Sequence, residues 1–299
     1  MPITQQLIKS LRMLTAKSFR ELVAVDFHPT GTACVRLRKT GDDVSVTSVA
    51  ILPPVSITSH RTKALEGSAS FHLPKYLVAH YVAICIPANE AFIKLLNLPG
   101  ELDAISADEI REQIGFGGDD SRISYRVVNS PNERSETRLL AIAAPNDQAA
   151  AACAMFPAGI PAPVSIELAG LAAMTTFLHG PGKELKDETV GFLECSVLNS
   201  FLAFFSGQDL VLIRKFDFGL STIWEKIQMK LKIDRETAQA ILSDGSFDIS
   251  EVIKEISEPF IKQLVISKHF IERRQDCHIH KLFIAAGQEL SHDFFEQIR

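Results

Sequence analysis

The sequence predicts an α/β protein of about two domains, because two strand–turn–strand units stand far apart in the chain and a buried strand with a small-residue turn closes it. The first unit is residues 22–38, LVAVDFHPTGTACVRLR. An apolar run from Leu22 to Val25 ends at Asp26, Pro29-Thr30-Gly31 supplies a turn, and Thr32 to Leu37 alternates again. The second unit, residues 188–216, runs through Glu194-Cys195-Ser196 into Phe201–Phe205, turns at Gly207-Gln208-Asp209, and continues as Leu210–Phe216. Near the end, Leu282–Leu290 reads as a strand, a turn at Ala285-Ala286-Gly287 and the start of a helix. A hairpin with an acidic residue at its turn is common on protein surfaces. The order of the segments is therefore what carries meaning.

The remaining elements follow along the chain. Residues 5–20 place Leu7, Leu11 and Leu14 at helical spacing with Ile8 beside them, and Lys9, Arg12, Lys17 and Arg20 around the rest of the helix. Such a basic amphipathic helix can lie on an anionic membrane surface or pack on the protein's own body. Tyr81–Ile86 is apolar enough for a buried strand. Phe92–Pro99 reads as a strand, Asp108–Ile114 as a helix, and Ile123–Val128 and Arg138–Ala144 as further strands. Gly115–Ser121 and Asn129–Thr137 read as loops, Val164–Ala169 leads into a helix, His179–Lys183 is linker-like, and residues 234–242 look helical.

In this order the segments resemble the actin-like (ribonuclease H-like) nucleotide-binding fold. They are most similar to the PilM-like type IV pilus assembly proteins of bacteria, relatives of the cell-division protein FtsA. The resemblance runs from about Leu22 to Leu290. It implies a basic helix at 1–20, a first actin-like domain at 21–86 and 164–186, an inserted subdomain of the 1C type at 87–163, and a second actin-like domain at 187–299. It also implies a nucleotide cleft. Its vestiges here would be Asp26, Thr30 and Gly31 of the first hairpin, Glu194 and Ser196 of the second, Gln239 of the second-domain helix, and Gly287 after the adenosine strand.

An actin-like site needs hairpin turns that offer backbone N–H groups to phosphates, and glycine lets the backbone come close. The family pattern in each hairpin is an aspartate, one residue, then glycine. Here His28 and then Pro29, which has no N–H, follow Asp26, and Gly31 comes three residues late. The second hairpin reads Glu194-Cys195-Ser196. Ala285 and Ala286 replace the glycines that let the backbone lie against the nucleoside, and Gln239 and Leu242 replace a glutamate and a lysine of the purine-side helix. Four losses in segments that the fold would bring together predict a degenerate pseudo-ATPase with no catalytic residue and no cofactor, weak ATP and Mg²⁺ binding being left open.

Composition narrows the function classes. A net charge of −5 gives no basic face for nucleic acid. No run approaches the roughly 18 apolar residues of a membrane span. The five cysteines are scattered, four of them in apolar or small-residue surroundings that suit reduced thiols of the cytoplasm. Cys277-His278-Ile279-His280 is the one metal-like cluster, and without a second paired cluster it reads as a strand entry with outward histidines, so no metal is expected.

The resemblance implies a non-enzymatic cytoplasmic scaffold, peripheral at the inner membrane. It would dock the cytoplasmic tail of a PilN-type bitopic membrane protein and connect assembly ATPases to the pilus platform. Alternatives are the cytoplasmic domain of a type II secretion protein similar to GspL, an active actin-superfamily ATPase or kinase supported by Asp26 and Glu194, and an FtsA-like filament. PilM-like proteins commonly carry a further helical segment after the adenosine strand, whereas this sequence stops at Arg299. Either those elements are reduced or the sequence is a piece of a longer one.

Overall fold

The computed structural model describes residues 19–55, 57, 71–99, 106–115, 121–128, 136–156, 158–185, 188–244, 248–287, 294–295 and 298. The amphipathic stretch 5–18 lies outside the described residues. Along the chain run β1 (Glu21–His28), β2 (Gly31–Thr40), β3 (Asp43–Leu52), β4 (Tyr81–Ile86), β5 (Phe92–Pro99), α1 (Ala107–Ile114), β6 (Ser121–Val127), β7 (Glu136–Pro145) and α2 (Asn146–Ala154). Then come β8 (Ala162–Leu168), α3 (Ala169–His179), β9 (Thr189–Cys195), β10 (Ser200–Ser206), β11 (Asp209–Phe216), α4 (Leu220–Leu231), α5 (Arg235–Asp244), α6 (Ser250–Gln275) and β12 (Leu282–Ala286). They form two compact units, Met1–Ile86 with Asn146–Ala169, and Pro87–Pro145 with Gly170–Arg299.

The first unit is built on a five-stranded sheet in the order β3-β2-β1-β4-β8. β1, β2 and β3 form an antiparallel meander, while β4 runs parallel to β1 and β8 parallel to β4. Alternation in β1 sends Val23, Val25 and Phe27 into the core with Cys34, Val82, Ile84 and Ile86. Phe27 meets Phe71 and Phe156 there, the two latter rings edge to face.

The second unit repeats this topology in the order β11-β10-β9-β12, with β9, β10 and β11 antiparallel and β12 parallel to β9. β10 is buried along almost its whole length and carries helices on both faces. On one side Phe177 of α3 stacks on Phe192 and meets Phe205, and Gly170 sits so close to Phe201 that an added Cβ would fall 2.0 Å from its ring. On the other side Leu193, Leu202 and Phe204 pack with Ile223 and Trp224 of α4, Ala238 and Leu242 of α5, and Ile253, Phe260 and Ile271 of α6.

A three-stranded sheet, β5-β7-β6, completes the second unit. α1 covers it, pressing Ile110 and Ile114 onto Leu96, Leu98, Leu139 and Ala141. Ser106 caps α1 by accepting from the Glu109 N–H, and Gly115 ends it in the left-handed region. The Lys215 ammonium on β11 ties this sheet's entry loop down. It donates to the carbonyls of Ala88, Asn89 and Ala91 at 3.2, 2.8 and 2.8 Å. Burial pushes its pKa down, with the Asp217 charge partly opposing.

The compact units divide the chain differently from the sequence reading, which ends the insert at 163 and gives 164–186 to the first domain. The change falls at Pro145, because Phe156 joins the Phe27 cluster, the Phe71 N–H donates to Met155 O at 2.8 Å, and β8 already pairs with β4 from Ala162. α3 packs with the second unit from Gly170 onward. Residues 179–183, read as linker, are the end of α3 and a 3-10 turn at Pro181–Glu184. Residues 277–280 precede β12 without forming a strand, although His278 and His280 do point outward and Ile279 inward. Among the described residues no group of three or more ligand side chains could hold a metal.

Lys215→Met keeps the apolar stem but removes three charge-assisted hydrogen bonds. The substitution is expected to cost about 1–3 kcal/mol. Amide exchange should rise in Pro87–Ala91 and along β5 while β9 and β10 stay protected, as hydrogen-exchange mass spectrometry would report.

Candidate functional site

In the first unit the acidic residue and the turn stand where the sequence places them, but the turn is shorter. Only Pro29 and Thr30 lie outside the strands, and Gly31 already pairs with His28 as the first residue of β2. Gly31 is not among the glycines of positive φ, so its backbone freedom is not used. Pro29 has no N–H. The Thr30 N–H points to His28 Nδ1 at 3.4 Å, and the Thr30 hydroxyl lies 2.8 Å from the same nitrogen. The Thr30 N–H is thus directed at the imidazole of its own hairpin.

Asp26 faces Ala33 across the hairpin and Cys85 on β4. Among the described residues its Oδ1 is buried without a hydrogen bond. Burial raises its pKa above the ordinary carboxylate value, while the His28 charge and the Cys85 thiol hydrogen bond pull the other way.

The second hairpin belongs to the other unit. Glu194 lies on β9 between Phe201 of β10 and Ala285 of β12. Gly287 follows the pair Ala286–Cys195, at the same sheet end as Ser196, and is exposed. The turn itself is closed. Val197, Asn199 and Ser200 are buried, the Ser196 N–H donates to Asn199 O at 3.0 Å, and the Ser200 hydroxyl donates to Phe218 O at 2.7 Å. The first turn of α4 docks onto the hairpin, Leu220 N–H donating to Ser196 O at 3.1 Å and Ser221 N–H to Val197 O at 2.9 Å. Gly219 permits this approach, since a Cβ there would lie 2.5 Å from Val197 O and 2.7 Å from Ser196 O. Burial pushes the adjacent Cys195 thiol up to about 12.

On α5, Gln239 is half-buried, whereas Ala238 and Leu242 are core residues of the second unit. Leu242 points into that core. In the first hairpin Pro29 offers no N–H and the Thr30 N–H is directed at His28; in the second the Ser196 N–H is taken by Asn199 O. The sequence reading singles out Asp26, Thr30, Gly31, Glu194, Ser196, Gln239 and Gly287; the structure adds His28, whose Nδ1 faces the Thr30 N–H, and Gly219, which lets α4 approach the second hairpin. The phrase Asp217-Phe218-Gly219 before an amphipathic run was the available signal for the latter.

Two meander-plus-parallel sheets, each headed by a hairpin with an acidic residue on its first strand, define an actin-like fold. At the level of individual structures the likeness is to a type IV pilus chain: a PilM–PilN type IV pilus biogenesis complex matches with a TM-score of 0.72 at 12% identity, over 93% of this chain and 85% of that one. The ethanolamine utilization protein EutJ from Carboxydothermus hydrogenoformans matches at 0.42 and 14% identity, over 99% and 90%. MreB 5 of Spiroplasma citri bound to AMPPNP matches at 0.40 and 10%, over 94% and 95%. No family model and no curated protein matches the sequence. Among the described residues no helix is long and apolar enough to cross a membrane.

The raised pKa of Asp26 makes a signed prediction. Above its folded pKa the buried carboxylate is charged and costs stability; as the pH falls toward the ordinary value of 3.8 the folded state takes up the proton first and the cost disappears. Asp26→Asn should therefore raise the urea midpoint at pH 7.5, with a gain that shrinks to nothing near pH 4. Equal gains at both values would contradict a buried charge.

Proposed function

We propose that this chain is a non-enzymatic, PilM-like cytoplasmic scaffold of a type IV pilus inner-membrane platform, and that it holds the cytoplasmic tail of a PilN-type bitopic protein. The observation that carries the reading is the whole-length fold likeness to a chain of a PilM–PilN complex. The hydrogen bonding of the two turns supports the non-enzymatic part: the Thr30 N–H is directed at His28, Pro29 has none to offer, and the Ser196 N–H is taken by Asn199 O. An extended tail would bind through apolar side-chain pockets and an available backbone edge, which a protein without turnover can supply. Contact with assembly ATPases and membrane recruitment through the partner complete the scaffold role.

Titration calorimetry tests both halves. A peptide of the cytoplasmic tail of a PilN-type bitopic protein from the same organism is expected to bind with a Kd of about 10 μM or tighter, while Mg-ATP gives no saturation below about 1 mM. Sub-micromolar ATP affinity, or phosphate release lost in Asp26→Ala, would sink the non-enzymatic reading. Absence of peptide binding would sink the docking role.

A further inference from the structure

α6 changes character along its length on the side turned away from the core. Its inner positions, Ile253, Ser257, Phe260, Leu264, Ser267 and Ile271, are buried in the second unit. On the opposite pole the first half of the helix exposes Glu251, Glu255 and Glu258. The second half exposes Lys262, His269 and Arg273, and among them stand Val265, Ile266 and Phe270, which are 43, 54 and 44% exposed. The helix macrodipole favours acidic residues in the first turn and basic ones in the last. It does not extend to Glu255, Glu258 or Lys262, and it gives no reason for three large apolar side chains on this pole. An apolar cluster between an acidic and a basic half is the pattern of a contact surface.

We propose that the outer face of α6 pairs with the same face of a second copy of this chain, the two helices antiparallel about a two-fold axis beside Ile266. Surface and occupant are then the same helix, described over its whole length. The argument is charge self-complementarity, which an isologous contact requires. Reversing the helix about Ile266 sets Ile266 on its own copy, Phe270 beside the partner's Lys262, and Arg273 beside the partner's Glu258 and Pro259. Each basic half then lies on an acidic half. A parallel pairing would set glutamates on glutamates, and an anionic bilayer would be repelled by the same three glutamates. Within the chain Glu258 holds Lys262 at 2.7 Å, an exposed pair that contributes little on its own. A guanidinium arriving from the partner gives that carboxylate a second cation. One helix pair falls at the small end of specific interfaces, roughly 1,200 Å² or less, so the dimer is a reversible one.

The test is sedimentation equilibrium of the full chain without peptide or nucleotide, so that its failure leaves the tail-docking reading standing. The unaltered protein is expected to dimerise with a Kd of about 10–100 μM, and Ile266→Asp to weaken the dimer about thirtyfold or more. Arg273→Glu and Glu258→Arg should each weaken it about five- to tenfold, and the two together should restore it to within about threefold. That rescue is specific, because within one chain residues 258 and 273 lie about 22 Å apart along the helix and only a second copy can join them. All three positions are on the solvent pole, and hydrogen exchange of β9 and β10 checks that each variant stays folded. A monomer up to about 500 μM overturns the proposal. So does a dimer that ignores Ile266→Asp or that the charge swap fails to rescue. If Ile266→Asp instead raises exchange elsewhere in a monomer, or only releases the protein from phosphatidylglycerol vesicles, the face belongs to the chain itself or to a membrane, and the proposal is overturned equally.

Discussion

The burial of β10 on both faces is the constraint from which the second unit follows. Its residues alternate between two helical layers: Phe201 and Phe205 meet α3, and Leu202 and Phe204 meet α4, α5 and α6. A strand apolar at every position can be satisfied only by covering both faces. Gly170 is the local consequence on one side, since α3 could not come down onto the Phe201 ring with any larger residue. Gly219 is its counterpart on the other, where α4 must start directly over the hairpin that feeds β10.

That placement of α4 decides the chemistry of the hairpin. The first N–H groups of a helix have no partner inside it. Here Ser196 and Val197 carbonyls take two of them, and the turn is buried. The first hairpin reaches the same end by another route, through one histidine nitrogen above Thr30. Both turns thus satisfy part of their hydrogen bonding within their own hairpin or against the first turn of α4. Asp26 is the exception: its buried oxygen still bears the cost that such sites carry.

The strands of both meanders were legible because their burial alternates or is continuous, the two signals that sequence pattern reports directly. β3 was not. The bulge at Thr47 shifts the phase between Val46 and Val49, so its apolar residues never form one alternating run. α4 and α6 also went unread: α4 starts without a side-chain cap at Gly219, and α6 carries Pro259 inside a strongly charged sequence. The compact units part at Pro145 where the sequence reading ends the insert at 163, and α2, NDQAAAACA, has almost no polar face to show which layer it joins. The candidate site divided along the same line. Asp26 and Glu194 follow from strand ends, whereas the roles of His28 and Gly219 depend on contacts that no local pattern encodes.

Lys215 shows why the three-stranded sheet moves with its own unit. Its three acceptors are backbone carbonyls, which survive any substitution in the loop that keeps the backbone path. A carboxylate partner would tie the contact to a single side chain, and an exposed pair would contribute little. A half-buried ammonium held by three carbonyls instead fixes the course of residues 88–91, and with it the point where β5 begins. Any force on the β5-β7-β6 sheet is therefore delivered to β11, and through the β11–β10 ladder to the doubly covered strand at the centre of the unit. The ladder from β5-β7-β6 to β11 and β10 thus rests on backbone pairing and on one half-buried ammonium held by backbone carbonyls.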